Sequence, residues 1–215
     1  MLFRSKLYAD KVQGGHLWRA LRCQKKRRKR YASGHDRRGQ IPDRRSITER
    51  PESVERRAQI GHWEADTVIG AGHQHPIVTL VERKSGFAVM AKVDRKTSEQ
   101  VSAAVIDRLL PVAGRVKTIT FDNGKEFAGH KLIDQCLGST AYFADPFASW
   151  QRGSNENFNG LLRQYIPKKR RLSTVTDQEL KMIEELLNHR PRKRLGFKTP
   201  HQVFHESLNR VALRT

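Results

Sequence analysis

Three stretches of alternating apolar and polar residues, 62–70, 75–82 and 86–93, follow one another with only short glycine-bearing connections. A period of two residues belongs to strands, whose side chains point to opposite faces in turn. Gly70-Ala-Gly-His73 and Lys84-Ser-Gly86 supply the turns, so an antiparallel meander is expected. Beyond residue 93 the period changes. A helix is expected from Ser98 to Leu110, with Thr97 as its N-cap and Val101, Val105, Ile106 and Leu109 on one face. A strand at 116–121, a helix from Lys125 to Leu137 ended by Gly138, and a strand at 140–144 come next. Helices at about 155–165 and 177–188 complete the pattern. Three strands, helix, strand, helix, strand and further helices make an α/β chain with one mixed five-stranded sheet and helices on its faces.

The 60 residues ahead of this pattern read differently. They hold 18 Lys/Arg against 6 Asp/Glu, and Gln24-Lys-Lys-Arg-Arg-Lys-Arg30 contains six consecutive basic residues. Like-charge repulsion and few large apolar residues disfavour an independent core. Residues 1–60 are therefore read as a partly disordered basic arm, with Lys25, Lys26, Arg27 and Arg28 tracking phosphate. Residues 61–205 are read as the folded core and 206–215 as a tail. The whole chain carries a formal charge of +20. A charge so large and clustered points to a polyanionic partner, nucleic acid first. Cys23 and Cys136 form neither a Cys-x-x-Cys pair nor a zinc spacing, as expected of a reduced cytosolic setting. The sequence holds no secretory-type N-terminal segment and no apolar run of membrane-spanning length, so no membrane partner is expected.

Against this basic background three acids stand out. In 62–68, His62, Glu64, Asp66 and Val68 share one face of the strand, and Trp63, Ala65 and Thr67 the other. A strand interior disfavours aspartate, and a buried unpaired carboxylate costs several kcal/mol. A bound cation or a neighbouring arginine would offset that cost. Asp122 ends the apolar run Val116-Lys-Thr-Ile-Thr-Phe-Asp122, where α/β sheets collect ligands, although Asp122-Asn-Gly124 is also an ordinary turn sequence. Glu156 opens a helix on which Asn159, Gly160 and Arg163 fall near the same face. Carboxylates near a phosphodiester repel it unless divalent metal reverses the local sign, which is where a few oxygen ligands and Mg²⁺ fit. Asn123, Asn155 and Asn159 are read as supporting polar groups. Lys168-Lys-Arg-Arg171 (Lys168, Lys169, Arg170 and Arg171) is read as a second phosphate-contacting cluster. Glu64 is weighed between a group behind Asp66 and a surface ion pair. Glu82 and Glu126 are read as ordinary charges, and Trp150 as packed beside the Glu156 helix or stacked on a base.

These segments closely resemble bacterial insertion-sequence transposases of the IS-thirty family. The match runs through Gly61-His-Trp-Glu-Ala-Asp-Thr-Val-Ile-Gly70, Thr120-Phe-Asp-Asn-Gly-Lys-Glu-Phe127, Trp150-Gln-Arg-Gly-Ser-Asn-Glu-Asn157, Asn159-Gly-Leu-Leu-Arg-Gln-Tyr165 and Leu195-Gly-Phe-Lys-Thr-Pro200. It covers most of residues 17–205, with the family's spacing of 33 residues between Asp122 and Glu156. The resemblance implies a ribonuclease H-like, retroviral-integrase-like core with helices on both faces of the sheet. It also implies an Asp-Asp-Glu triad of Asp66, Asp122 and Glu156 that holds two Mg²⁺ or Mn²⁺ ions. Arg163 matches a basic position near the DNA. The implied chemistry is phosphodiester hydrolysis followed by strand transfer, on element ends and target DNA, by a homo-oligomer assembled on that DNA. The family's helix-turn-helix regions lie ahead of the matched stretch, so end recognition is expected from residues that this chain starts too late to contain. Two alternatives stay open: a non-catalytic DNA-binding remnant, and a nuclease of the same fold without strand transfer.

Overall fold

The computed structural model describes residues 2–17, 41–146 and 148–212. The chain divides into two units, Met1–Arg38 and Gly39–Thr215. The first contains a helix, α1 (Leu2–Val12), and a local bond from the Leu17 amide to the Asp10 carboxylate at 3.0 Å. The basic run with Lys25, Lys26, Arg27 and Arg28 lies outside the described residues.

The second unit is built on β1 (His62–Val68), β2 (Ile77–Glu82), β3 (Ala88–Lys92), β4 (Thr118–Phe121) and β5 (Thr140–Phe143). They form one sheet in the order β3-β2-β1-β4-β5, antiparallel across the first three strands and parallel from β1 to β5. This is the mixed five-stranded sheet expected from the alternation. Its helices are α2 (Glu52–Glu55), α3 (Ser98–Leu109), α4 (His130–Leu137), α5 (Gly153–Leu162), α6 (Asp177–Asn188) and α7 (Pro200–Ala212).

Both faces of the sheet are covered. On one, Trp63, Leu80, Ile119 and Phe121 pack with Val105, Leu109, Ile133 and Phe204 from α3, α4 and α7. On the other, Val68, Ile77, Val81 and Met90 pack with Phe158, Leu162, Leu180 and Ile183 from α5 and α6. Capping residues set the helix starts. The Thr97 hydroxyl accepts the Gln100 amide, and the Thr176 hydroxyl accepts the Glu179 amide at 3.1 Å.

Beyond shifts of two or three residues at several element ends, three departures from the sequence reading have a packing cause. The helix expected over Lys125–Leu137 is divided into a single 3₁₀ turn, Lys125–Phe127, and α4. Gly129 lies at the break, and a Cβ there would sit 2.3 Å from the Ser102 hydroxyl of α3. The chain bends at the one residue that lets α3 approach so closely. Residues 206–212, grouped with the tail, continue α7; the Thr199 hydroxyl accepts the Gln202 amide at 3.1 Å just ahead of Pro200. Residues 41–60, grouped with the arm for their charge, pack onto the sheet. The Arg45 backbone carbonyl accepts the Phe143 amide at 2.9 Å, covering edge strand β5, and Ile41, Ile47 and Val54 are buried. Cys136 is free and exposed. Among the described residues no helix is long and apolar enough to cross a membrane.

Candidate active site

The parallel pairing of β1 with β4 aligns His62 with Thr118, Trp63 with Ile119 and Glu64 with Thr120. Carried two residues further, this register sets Asp66 level with Asp122, just beyond the end of β4. Two carboxylates thus converge at the carboxyl edge of adjacent parallel strands. That is where the fold leaves backbone unpaired and open to a ligand.

Each carboxylate has defined partners. Asp66 accepts the Thr67 amide at 2.9 Å through Oδ1 and the Asn159 side-chain amide at 2.8 Å through Oδ2. Asn159 in turn accepts the Thr79 hydroxyl at 3.3 Å, which ties α5 to β2. Asp122 Oδ1 accepts the Gly124 amide at 2.8 Å, so the turn reading of Asp122-Asn-Gly124 also holds. Burial pushes the Asp122 carboxyl above its ordinary range. Arg152 and the Gly124 amide pull it back, while Asp66 and Glu126 add to the rise.

Between the two aspartates sits Arg152. Its Nη1 lies 3.3 Å from Asp66 Oδ1 and donates to the Ala65 carbonyl at 3.2 Å, and its Nη2 lies 3.5 Å from Asp122 Oδ2. A neighbouring arginine was one of the two means of offsetting Asp66, and it is present. The sequence reading did not single out Arg152, although it stands four residues before Glu156 in the Trp150–Asn157 motif.

Glu156 is exposed on the first turn of α5 and lines, with Asp66, Asn159, Arg163 and Lys168, a groove of about 620 Å³. Arg152 also lines this groove and joins it to Asp122, which is not among its lining residues. Among the described residues no three His, Cys, Asp or Glu side chains gather closely enough to hold a metal as one set. The structure therefore brings Asp66 and Asp122 to one guanidinium, and Glu156 to the same groove as Asp66. The start of α5 is fixed by Glu64, which is fully buried, accepts the Asn155 amide at 2.9 Å and pairs with Arg83 at 2.5 Å. Arg83 reaches Glu55 at 2.9 Å, and Arg50 joins Glu55 to the Thr120 hydroxyl. Glu64 is thus an internal anchor for the Glu156 helix, not a surface ion pair. Such a network is strongest when every member is partnered; here Arg83 Nε is buried with no partner among the described residues.

Other expectations divide. Asn155 is buried, and its Nδ2 has no partner among the described residues. Asn123 accepts from Arg44 and donates to the Ala144 carbonyl at 2.5 Å, tying the Asp122 turn to the chain after β5. Arg163 donates to the Ile69 carbonyl at 2.8 Å, which commits part of its fork to the fold while it lines the groove. Arg170 is paired with Glu179 at 2.5 and 2.8 Å, whereas Lys168, Lys169 and Arg171 are exposed. Glu126 is not an ordinary helix charge. It is buried, pairs with Lys96 at 2.7 Å and accepts the Thr67 hydroxyl at 3.0 Å beside Asp66. Glu82 is likewise buried, accepting the Ser85 amide and hydroxyl at 2.7 and 2.6 Å. Trp150 is 74% exposed, which counts against the packing alternative and is compatible with the stacking one.

The two aspartates bridged by Arg152, with Glu156 on the groove that Asp66 lines, have the chemistry that suits a hard divalent cation. Asp66, Asp122 and Glu156 offer carboxylate oxygens only, which Mg²⁺ prefers and completes with water. The site also seats one positive group between two of those carboxylates, as it would need to seat another.

No family model matches the chain. It is 44% identical over 203 residues to the transposase for insertion sequence element IS4351 of Bacteroides fragilis, covering 94% of this chain and 62% of the relative. Over 180 residues it is 41% identical to transposase InsI for insertion sequence element IS30A of Escherichia coli strain K12, covering 81% of this chain and 47% of the relative. A more distant relative is the putative integrase ORF3 of Spiroplasma virus SpV1-R8A2 B, 26% identical over 196 residues, covering 90% of this chain and 60% of the relative. The chain spans about half to three-fifths of the length of these relatives.

Proposed function

We propose that the chain is the catalytic region of an insertion-sequence transposase of the IS-thirty family, because it is 41–44% identical over most of its length to transposases of insertion sequence elements. Its substrates are DNA ends and target DNA. In the first step water attacks a phosphodiester and frees a 3′-hydroxyl. In the second that hydroxyl attacks a target phosphodiester, forming one P–O bond as another breaks. Two divalent ions, Mg²⁺ or Mn²⁺, held by Asp66, Asp122 and Glu156 would activate the attacking oxygen and stabilise the leaving one. Asn159 orients the outer oxygen of Asp66, and Glu64 holds the first turn of α5 so that Glu156 faces the groove. Lys168, Lys169 and Arg171 meet phosphate, with a net charge of +20 behind them. The protein works as a homo-oligomer on DNA, in the cytoplasm and at the nucleoid.

The observation that carries this reading is the level placement of Asp66 and Asp122 on adjacent parallel strands, with Glu156 on a groove that Asp66 also lines. The test is a joining assay with pre-cut 3′-hydroxyl ends and plasmid target in Mg²⁺ or Mn²⁺. Joined products are expected, and Asp122→Asn should lower them about a hundredfold or more while DNA binding is kept. Cleavage without joints would identify a nuclease. Salt-sensitive binding with neither would identify a non-catalytic remnant.

A further inference from the structure

We infer that Arg152 is a built-in counter-cation of the carboxylate site: it holds Asp66 and Asp122 together and is displaced from them by divalent metal into the groove, where it takes a substrate phosphate. The inference rests on the metal role assigned above to the two aspartates.

Three observations support it. First, the guanidinium reaches both carboxylates at once, through Nη1 to Asp66 at 3.3 Å and Nη2 to Asp122 at 3.5 Å. It is 12% exposed, so little bulk water screens these charges. Second, the contacts are one-armed and long. A well-made guanidinium–carboxylate pair is bidentate at about 2.7–2.9 Å. Arg152 spreads its fork over two acids and the Ala65 carbonyl instead, and its Nε is buried with no partner among the described residues. One positive charge answers two negative ones, so a dication at the same oxygens balances what Arg152 leaves half-balanced. Third, a displaced Arg152 has a destination. It lines the groove alongside Arg163 and Lys168, and it lies at the end of a 3₁₀ turn immediately before Gly153, where the space beside the backbone is open.

Arg152 is therefore a positioning residue whose competition with metal is measurable apart from catalysis. The test uses the full chain and Mn²⁺ alone, with affinity read from the spectrum of free Mn²⁺ and thermal midpoints recorded in chelator and in Mn²⁺. Arg152→Gln, Arg152→Lys and Asp122→Asn are compared with wild type. Arg152→Gln should bind Mn²⁺ at least about fivefold more tightly, the lower end of usual coupling between two ligands. Its midpoint in chelator should fall, and its gain on adding Mn²⁺ should exceed that of wild type. Arg152→Lys, which keeps the charge without the fork, should lie between the two in affinity. Unchanged or weaker Mn²⁺ affinity in a folded Arg152→Gln overturns the inference. Should that variant not fold, Arg152→Lys decides, and affinity no tighter than wild type overturns it. Asp122→Asn separates the layers. If it binds Mn²⁺ as wild type does, the metal site itself fails. If it loses Mn²⁺ while the Arg152 variants gain nothing, only the role of Arg152 fails.

Discussion

His62 shows how a single side chain ties stability to pH. It is buried in β1, donor or acceptor to the Thr118 hydroxyl at 2.9 Å through Nδ1, while Nε2 has no partner among the described residues. Burial first, then Lys117, Arg83 and Arg50, lowers its pKa to about 4. A lowered folded-state value means that the folded chain refuses a proton the unfolded chain accepts. The stability from a neutral His62 is present above the ordinary value of 6.5 and is lost as the pH falls toward 4. Urea unfolding at pH 7.5 and 4.5 should show wild type losing on the order of 2–3 kcal/mol more than His62→Gln. Equal losses would contradict a neutral buried imidazole. At this scale the sequence was legible where a motif pointed to a residue that the fold brings to a shared partner, as Asp66 and Asp122 meet on one guanidinium. Arg152, Glu126 and the anchoring role of Glu64 were not legible. Their partners lie far away in sequence, 87 residues from Arg152 to the Ala65 carbonyl and 91 from Glu64 to the Asn155 amide. Only tertiary packing brings such pairs together.

Strand and helix types followed from periodicity, while ends and breaks followed from close contacts. The β1–β3 meander and the start of α3 were readable because alternation and a threonine cap are local. The break before α4 depends on the Gly129–Ser102 approach, which no local period records. A similar approach fixes the groove. Ala71 donates to the Arg170 carbonyl at 3.0 Å beyond the end of β1, and a Cβ on Gly70 would lie 2.5 Å from that same oxygen and 2.6 Å from Leu172 Cγ. Gly70→Ala must push the segment after α5 outward. The expected cost is about 1–3 kcal/mol, as for other overpacked sites, measured as a lower urea midpoint. Gly160→Ala is the contrasting case. Gly160 lies on α5 with open space where its Cβ would be, so alanine should raise stability by up to about 1 kcal/mol. Finding the two effects reversed would mean that the β1–α5 contact is looser than described.

For the whole molecule, the order β3-β2-β1-β4-β5 brings Asp66 and Asp122, distant in sequence, level on adjacent parallel strands, and α5 sets Glu156 on the groove that Asp66 lines. The mixed five-stranded sheet was legible, since a meander followed by alternating helices and strands admits few architectures. How far the acids converge was not, because it depends on the anchoring of α5 and on Arg152 between the aspartates. The central claim is that Asp66, Asp122 and Glu156 act as one unit on DNA phosphate. The most direct measurement is the single-turnover joining rate of pre-cut ends in saturating Mn²⁺ for Asp66→Asn, Asp122→Asn and Glu156→Gln, each checked for folding and DNA binding. The account predicts that all three fall by about a hundredfold or more with binding kept, and that double variants fall little further, as groups acting together do. A Glu156→Gln variant that joins ends at the wild-type rate would contradict it.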